Sequence, residues 1–377
     1  MIKTIKLDQI RKVGYEMVTN PQPFALQRRR RILDEVAAHG SVRVDDLAAR
    51  LAVSPVTVRR DIAALDHQSL VTRVHGGAVA RRVERPATPS PATKQRTLGI
   101  TAPSMDYYWP QVVNGAQAAV NAYHGQLILR SSSYSVDDDR VQIKRLLATG
   151  QVEGLLVAPV PATRASNEVL SWLDTLDIPV VLMERTVPSD LFPGRLEWVA
   201  TDHAYSADLA VRHFASQGHR KVGLLTSVGT PHRAAAREGW ARACRRLGLD
   251  AHAVVEDTPG FNTTDRDNLL DGIIERCLLS ATTAVLVHAD REAIALLEHC
   301  QDLGLQVPGD LAIIAHDDEI ASLSSPPLTA IRPPKHQIGY EAAALLFRRL
   351  ADPTLPIRRI LMCPDLVARA TSGPHRD

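Results

Sequence analysis

The sequence predicts an α/β chain in two parts: a small N-terminal winged helix-turn-helix, then a large domain of doubly wound parallel sheets. Three observations predict it. Ser54-Pro-Val-Thr-Val-Arg-Arg-Asp-Ile-Ala-Ala-Leu65 reads as a capped amphipathic helix preceded by two other helical segments. A β-branched run ending in a glycine pair follows it. From Leu98 onward, short apolar strands alternate with helix-length segments.

Ser54 suits an N-cap, and Pro55 stands at the first helical position, where its missing N–H costs nothing. Val58, Ile62 and Leu65 recur at i, i+4 and i+7 as a buried stripe, which turns Val56, Arg59, Arg60 and Ala63 outward. Upstream, Leu26, Ile32, Leu33, Val36 and Ala37 have helical spacing and stop at Gly40, a C-cap signal. Asp45 to Leu51 forms a second helix, and Ala52-Val53 links it to Ser54. Helix, helix, tight turn, helix is the arrangement whose last helix enters the major groove of DNA. Leu70 to Val79, with Gly76-Gly77 at its turn, supplies a small β wing. Charge agrees: from Leu26 to Arg82, eleven arginines against six acidic residues give +5, whereas the whole chain is +2. The run Arg28 to Arg31 would be relieved of its self-repulsion by a phosphate backbone; an ordinary solvated helix face is the alternative.

Together, Arg31-Ile-Leu, Ser54-Pro-Val-Thr-Val-Arg-Arg-Asp61 and His75-Gly-Gly-Ala78 resemble the winged helix of the DeoR family of bacterial repressors. The resemblance covers roughly residues 25 to 80. It implies binding to double-stranded operator DNA, with Ser54, Thr57, Arg59 and Arg60 on the recognition helix and Arg73 and His75 in the wing as the expected contacts.

The chain has 377 residues, 45% of them hydrophobic, enough for two or three domains with sizeable cores. No apolar run approaches a membrane span, and Met1 to Val18 lacks the apolar segment of a signal peptide. Cys244, Cys277, Cys300 and Cys363 show no paired spacing, which argues against a zinc site or disulfide framework and fits a reducing cytoplasm. Residues 1–22 read as a disordered extension, with Met17 a candidate start. The DNA-binding domain is expected at 23–80, and a Pro-containing linker at 81–96.

Leu98-Gly-Ile, Leu127-Ile-Leu, Gly154-Leu-Leu-Val, Val180-Val-Leu-Met, Val222-Gly-Leu-Leu, Ala284-Val-Leu-Val and Leu311-Ala-Ile-Ile read as buried strands, more easily in two lobes than one. Gly154-Leu-Leu-Val-Ala-Pro159, Val199-Ala-Thr-Asp202, Gln217-Gly-His-Arg-Lys-Val-Gly223, Gly239-Trp240, Gly304-Leu-Gln-Val-Pro-Gly-Asp310, His316-Asp-Asp-Glu319 and Pro327-Leu-Thr-Ala-Ile-Arg-Pro-Pro334 are similar to the effector-binding domain of the lac repressor (LacI/GalR) family. That resemblance spans about residues 97 to 370, within an effector-binding domain expected at 97–372, and implies a periplasmic-binding-protein-like fold, two lobes closing on a small molecule. Lobe 1 is expected at about 97–199 plus 328–352 and lobe 2 at about 200–327 plus 353–372, with crossovers near Thr201, Asp318 and Leu328. The pairing departs from both families: LacI relatives carry a different helix-turn-helix and a hinge helix, and DeoR relatives a sugar-phosphate isomerase-like domain.

A sugar site uses carboxylates and guanidiniums for hydroxyls and an aromatic face for the ring. By resemblance Asp317 accepts ligand hydroxyls, or else caps a loop; Arg237 is the cleft arginine, with Arg233 its competitor; Phe261 is a lid, or else core. Asp290 matches half of a family Asn-Asp pair, with Ala289 in place of the asparagine. In a chain with 4% aromatics, Tyr107-Tyr108-Trp109 beyond a strand end suggests stacking by Tyr107 or Trp109. Arg185 and Asp202 fall near the cleft and first crossover, where either could serve a structural ion pair. The reading is a sequence-specific transcriptional regulator, a repressor, acting as a homodimer under a sugar-like effector and needing no cofactor or metal. The alternative is an enzyme on sugars or sugar phosphates with an accessory DNA-binding domain, for which His288 and His316 are the acid–base candidates. No phosphate loop, metal-spaced cluster or nucleophile elbow supports that alternative. A transport binding protein is disfavoured by the lack of an export signal.

Overall fold

The structure is a computed structural model that describes residues 28–29, 31–33, 35–36, 40–67, 71–74, 76–80, 95–160, 164–187, 194–250, 252–258 and 265–374. The expectations for residues 1–22, Met17, His75, Phe261 and nearly all of the 81–96 linker lie outside the described residues. The chain divides into two compact units, Met1–Thr93 and Lys94–Asp377.

In the first unit β1 (Ser41–Arg43) runs into α1 (Val44–Leu51), which ends at Ala52 in the left-handed conformation, φ 52°. A short turn leads to α2 (Pro55–His67), where the Ser54 hydroxyl accepts the Thr57 N–H at 3.2 Å and satisfies one of the helix's free donors. β2 (Val71–Val74) and β3 (Gly77–Ala80) form the antiparallel wing, and β1 joins it in the order β1-β3-β2. β1 escaped the sequence reading because a single buried residue, Val42, gives no alternation to detect. Gly77 allows the close approach of these strands: a Cβ there would stand 2.0 Å from the Val42 carbonyl oxygen. Ile32, Val36, Leu47, Leu51, Val58, Ile62, Leu65, Val71 and Ala78 share the core.

The second unit holds two six-stranded sheets. Its first lobe begins β4 (Thr97–Pro103), α3 (Trp109–Ala122), β5 (Gln126–Ser132), α4 (Val136–Leu147), β6 (Gly154–Val157) and α5 (Arg164–Asp174), then β7 (Val180–Met183) and β8 (Glu197–Thr201). The second lobe follows with α6 (His203–Ser216), β9 (Val222–Ser227), α7 (Arg233–Leu247), β10 (Val255–Thr258) and α8 (Arg266–Ser280). It continues with β11 (Ala284–Val287), α9 (Asp290–Asp302), β12 (Ala312–His316) and β13 (Thr329–Arg332). The chain then returns as α10 (Lys335–Ala351) and β14 (Arg359–Met362) and finishes with β15 (Asp365–Val367). The sheets are ordered β14-β8-β7-β6-β4-β5, all parallel, and β10-β9-β11-β12-β13-β15, parallel but for β15. Strands such as β6, β7, β11 and β12 are buried on both faces, so their sequences are continuous apolar runs rather than alternations.

Two expected crossovers move. The chain does leave the first lobe at Thr201-Asp202, between β8 and α6. It does not cross at Asp318 or Leu328, because β13 extends the second sheet, with Ile314 opposite Thr329 and Ala315 opposite Ala330. The return crossover is after Arg332, and β14 pairs with β8 in the first sheet, Val199 opposite Ile360, so the last crossover falls between β14 and β15. Asp318 instead binds Arg369 at 2.7 Å and Arg332 across the second lobe's end. Among the described residues no helix is long and apolar enough to cross a membrane.

α3 and α10 meet through glycine. A Cβ on Gly115 would lie 1.8 Å from the His336 carbonyl oxygen, and one on Gly339 1.8 Å from that of Val112. Gly115→Ala should therefore force the helices apart and destabilise the second unit by about 1–3 kcal/mol. Thermal unfolding followed by circular dichroism should show a lower midpoint, and an unchanged midpoint would contradict this packing.

Candidate functional site

On the first unit, α2 buries Val58, Ile62 and Leu65 and exposes Ser54, Val56, Arg59 and Arg60, while Thr57 is half-buried. Arg73 is exposed on β2, and its backbone N–H donates to Asp66 at 3.0 Å. The arginine run behaves differently from the expectation. Asp61 is buried on the inner side of α2 and accepts Arg28 Nε at 2.9 Å and Arg29 Nε at 3.1 Å. Their repulsion is thus relieved inside the fold, and those two guanidiniums tie the N-terminal helical turns to α2. Arg50 pairs with Glu35 at 2.9 Å. Arg59 and Arg60 have no carboxylate partner among the described residues.

On the second unit, the carboxyl ends of both sheets face one another, the place where ligands bind in such folds. The loop after β4 presents Tyr107, Tyr108 and Trp109. Tyr107, at φ 64°, lies under Arg291, whose Cζ is 5.1 Å from the ring centroid, and its buried hydroxyl has no hydrogen-bond partner among the described residues. Burial and the charges of Asp317 and Asp290 raise its pKa. Trp109 is buried in the first lobe's core, in one cluster with Ile100, Val112 and Met183, and its Nε1 donates to Tyr134 at 3.2 Å. Gln111 on α3 reaches Glu319 of the second lobe at 2.8 Å, so the lobes touch across the cleft.

Arg185 is buried, donates to the carbonyls of Pro159 and Glu184 at 2.7 Å each, and lies 5.6 Å from the Trp109 centroid. Asp202 caps α6, accepting the Tyr205 N–H at 2.8 Å. Arg237 and its competitor Arg233 share one partner, Asp257, at 2.9 and 3.4 Å. Asp290 is fully buried, and its carboxylate accepts four backbone N–H groups: Asp318 at 3.1 Å, Glu319 at 2.7 Å, Ile320 at 2.9 Å and Ala321 at 3.2 Å. It holds the loop after β12 rather than offering its oxygens to the cleft. Burial pushes its carboxyl up to about 6, against the pull of the Ile320 and Glu319 N–H groups. Asp317 sits on that loop at φ 104° and accepts His316 Nδ1 at 2.9 Å. Burial raises its carboxyl, but the His316 hydrogen bond and the nearby His288 and Lys335 outweigh burial and hold it below the usual range.

At the centre of the cleft, the sequence singles out His288 and His316, as acid–base candidates, but not Glu184, His203 or His232. Glu184, at the end of β7, is buried and accepts Tyr108 Oη at 2.6 Å, Thr201 Oγ1 at 2.8 Å and the Thr201 N–H at 3.1 Å. Four histidines gather beside it from separate strand ends: His203 and His232 stack at 3.5 Å, His288 and His316 lie 4.8 Å apart, and His203 and His316 5.4 Å apart. Burial lowers the pKa of His232, His288 and His316, which favours their neutral forms. Glu184, Arg185, Thr201, His203 and His232 line a cavity of about 250 Å³; of the expected residues that the structure describes, Arg185 and, beside the first crossover, Asp202 are in its wall. The one sequence signal for the cluster is that all four histidines fall at or shortly after strand ends.

Asp290→Ala would leave four backbone N–H groups, those of half-buried Asp318, Glu319 and Ile320 and of buried Ala321, to find other partners. Each unsatisfied buried donor costs about 1–3 kcal/mol, so the variant should unfold well below the wild-type midpoint and exchange the amides of residues 318–321 faster. Wild-type exchange there would contradict the anchoring role.

The DeoR-like helix-turn-helix domain matches residues 28–83, and the periplasmic binding protein-like domain matches residues 211–372. The chain is 28% identical over 284 residues to the ribose operon repressor of Escherichia coli (strain K12), covering 73% of this chain and 82% of that protein. The transcription regulator GntR from Chromobacterium violaceum shares the fold with a TM-score of 0.61 at 24% identity, covering 74% of this chain and 99% of that one. A LacI family transcriptional regulator from Enterococcus faecium with bound ribose does so with a TM-score of 0.60 at 22% identity, covering 74% and 99%. The chain therefore carries a DeoR-like helix-turn-helix domain ahead of a periplasmic binding protein-like domain with the two-lobed fold of LacI-family regulators.

Proposed function

We propose that this protein is a sequence-specific transcriptional repressor whose affinity for operator DNA is set by a sugar-like molecule bound between the lobes of its second unit. The observation that carries the DNA half is the exposed face of α2, where Arg59 and Arg60 stand free of carboxylate partners among the described residues. Adjacent guanidiniums on the outward face of the last helix of a helix-turn-helix suit base edges and phosphates in a major groove. Ser54, Thr57, Arg73 and His75 complete the proposed surface. The ligand half is supported by the facing strand ends with their dense polar side chains, and by relatives that are repressors or bind ribose. Tyr107, Asp317 and Arg185 are the proposed contacts kept from the sequence, joined by Glu184, His203 and His232. Trp109, Asp202 and Asp290 are proposed as supports, and Arg237 as a residue whose charge is spent on Asp257. A homodimer would present two such helices to a pseudo-palindromic site. The relatives are regulators, and an enzymatic role has no separate observation in its favour.

DNA binding separates the two groups of arginines. Arg60→Ala should weaken binding to the protein's own upstream DNA by about 1–3 kcal/mol at fixed salt, with the thermal midpoint unchanged. Arg28→Ala should instead lower the midpoint by removing a partner of Asp61. Wild-type DNA affinity in Arg60→Ala would overturn the assignment of α2 to the groove.

A further inference from the structure

The histidine cluster has a chemistry that a sugar site does not require. His203 is 6% exposed, yet neither ring nitrogen has a hydrogen-bond partner among the described residues. Buried polar atoms are nearly always satisfied, so an orphaned imidazole aimed into a cavity points to a ligand. Its Nε2 stands 3.5 Å from Glu184 Oε2, an ion-pair separation longer than a normal hydrogen bond. Two donors bound at about 2.0–2.2 Å to one tetrahedral zinc ion stand about 3.3–3.6 Å apart, the same separation. His232 completes a triad with them, all ligating atoms lying within 4.8 Å of one another, and His288, His316 and Asp317 form a second such triad alongside.

The surroundings fit a resident cation. Tyr108 and Thr201 fix the Glu184 carboxylate, and Asp317 binds His316 Nδ1, the carboxylate–histidine arrangement that orients imidazole ligands around metals. The cations beside the cluster are already engaged, Arg185 with two carbonyls, Arg233 with Asp257 at 3.4 Å and Lys335 with Glu319 at 2.6 Å. Imidazole nitrogens select zinc, nickel, cobalt or copper over calcium and magnesium, which prefer oxygen.

We propose that Glu184, His203 and His232 hold a divalent transition-metal ion in the cleft, beside the His288–His316–Asp317 triad, and that its open coordination position takes an oxygen of the effector. The second clause rests on the effector reading above; the first does not. Three protein ligands leave a tetrahedral ion one position for an exogenous oxygen.

The test is calorimetric titration of zinc chloride into untagged, full-length, chelator-stripped protein carrying Cys363→Ser, which removes the exposed thiol. One ion should bind at micromolar or tighter concentration, and His203→Ala and His232→Ala should each weaken it by at least about 10–100-fold, the loss seen for outer-shell partners alone. Absence of binding, or equal binding in both variants, overturns the proposal. Should the variants not fold, cobalt decides: a tetrahedral visible spectrum in the parent protein supports the site, and the aqueous octahedral spectrum overturns it. Anisotropy on upstream DNA, run on the same samples, keeps the two readings apart. If stripped protein answers a sugar as strongly as metal-loaded protein, the metal's part in effector binding is overturned while the regulator stands. If DNA is never bound, the regulator reading fails whatever the titration shows.

Discussion

A carboxylate taken out of water must be compensated where it lies, and the second unit is organised around two such charges. Asp290 gathers four backbone N–H groups of the 318–321 loop, which fixes where Asp317, Glu319 and the end of β12 stand. Glu184 gathers Tyr108 from the loop after β4 and Thr201 from the end of β8, which fixes the first lobe's face of the cleft. Parallel sheets bring these strand ends to one place, and the buried carboxylates decide how the loops beyond them are held. The first unit repeats the principle on a smaller scale, with buried Asp61 collecting Arg28 and Arg29.

Much of the fold was legible because its signals are local. The Ser54 cap, the Val58-Ile62-Leu65 stripe and the glycine pair of the wing each specify their own backbone, and the apolar runs of β4, β6, β7, β9, β11 and β12 can be read one at a time. What could not be read depends on pairing at a distance. Whether Thr329–Arg332 extends the second sheet or returns to the first is decided by its register with Ile314 and Ala315, which no residue in that strand announces. Arg28 and Arg29 looked like phosphate contacts because their partner lies 32 or more positions away.

The site was legible only in outline. Tyr107, Arg185 and Asp317 lie at the facing strand ends, whereas Trp109 is buried in the first lobe's core, and a rare aromatic beyond a strand end carries no sign of which of the two it will be. Asp290 has the sequence of a binding residue and the bonding of a structural one. The histidines were invisible as a group because each lies beyond a different strand, separated by one or two βα units from the next, and only the winding of the sheets makes them neighbours.

A regulator of this kind works by a difference: its ligand need only prefer one state of the protein by about 1–3 kcal/mol to change DNA occupancy several-fold or more. The decisive measurement is fluorescence anisotropy of the full-length protein on its own upstream DNA, at one salt concentration, against a panel of sugars and sugar phosphates with and without zinc. Binding should be salt-sensitive, and at least one compound should shift it by about tenfold or more. No binding to that DNA at low salt would contradict the regulator reading.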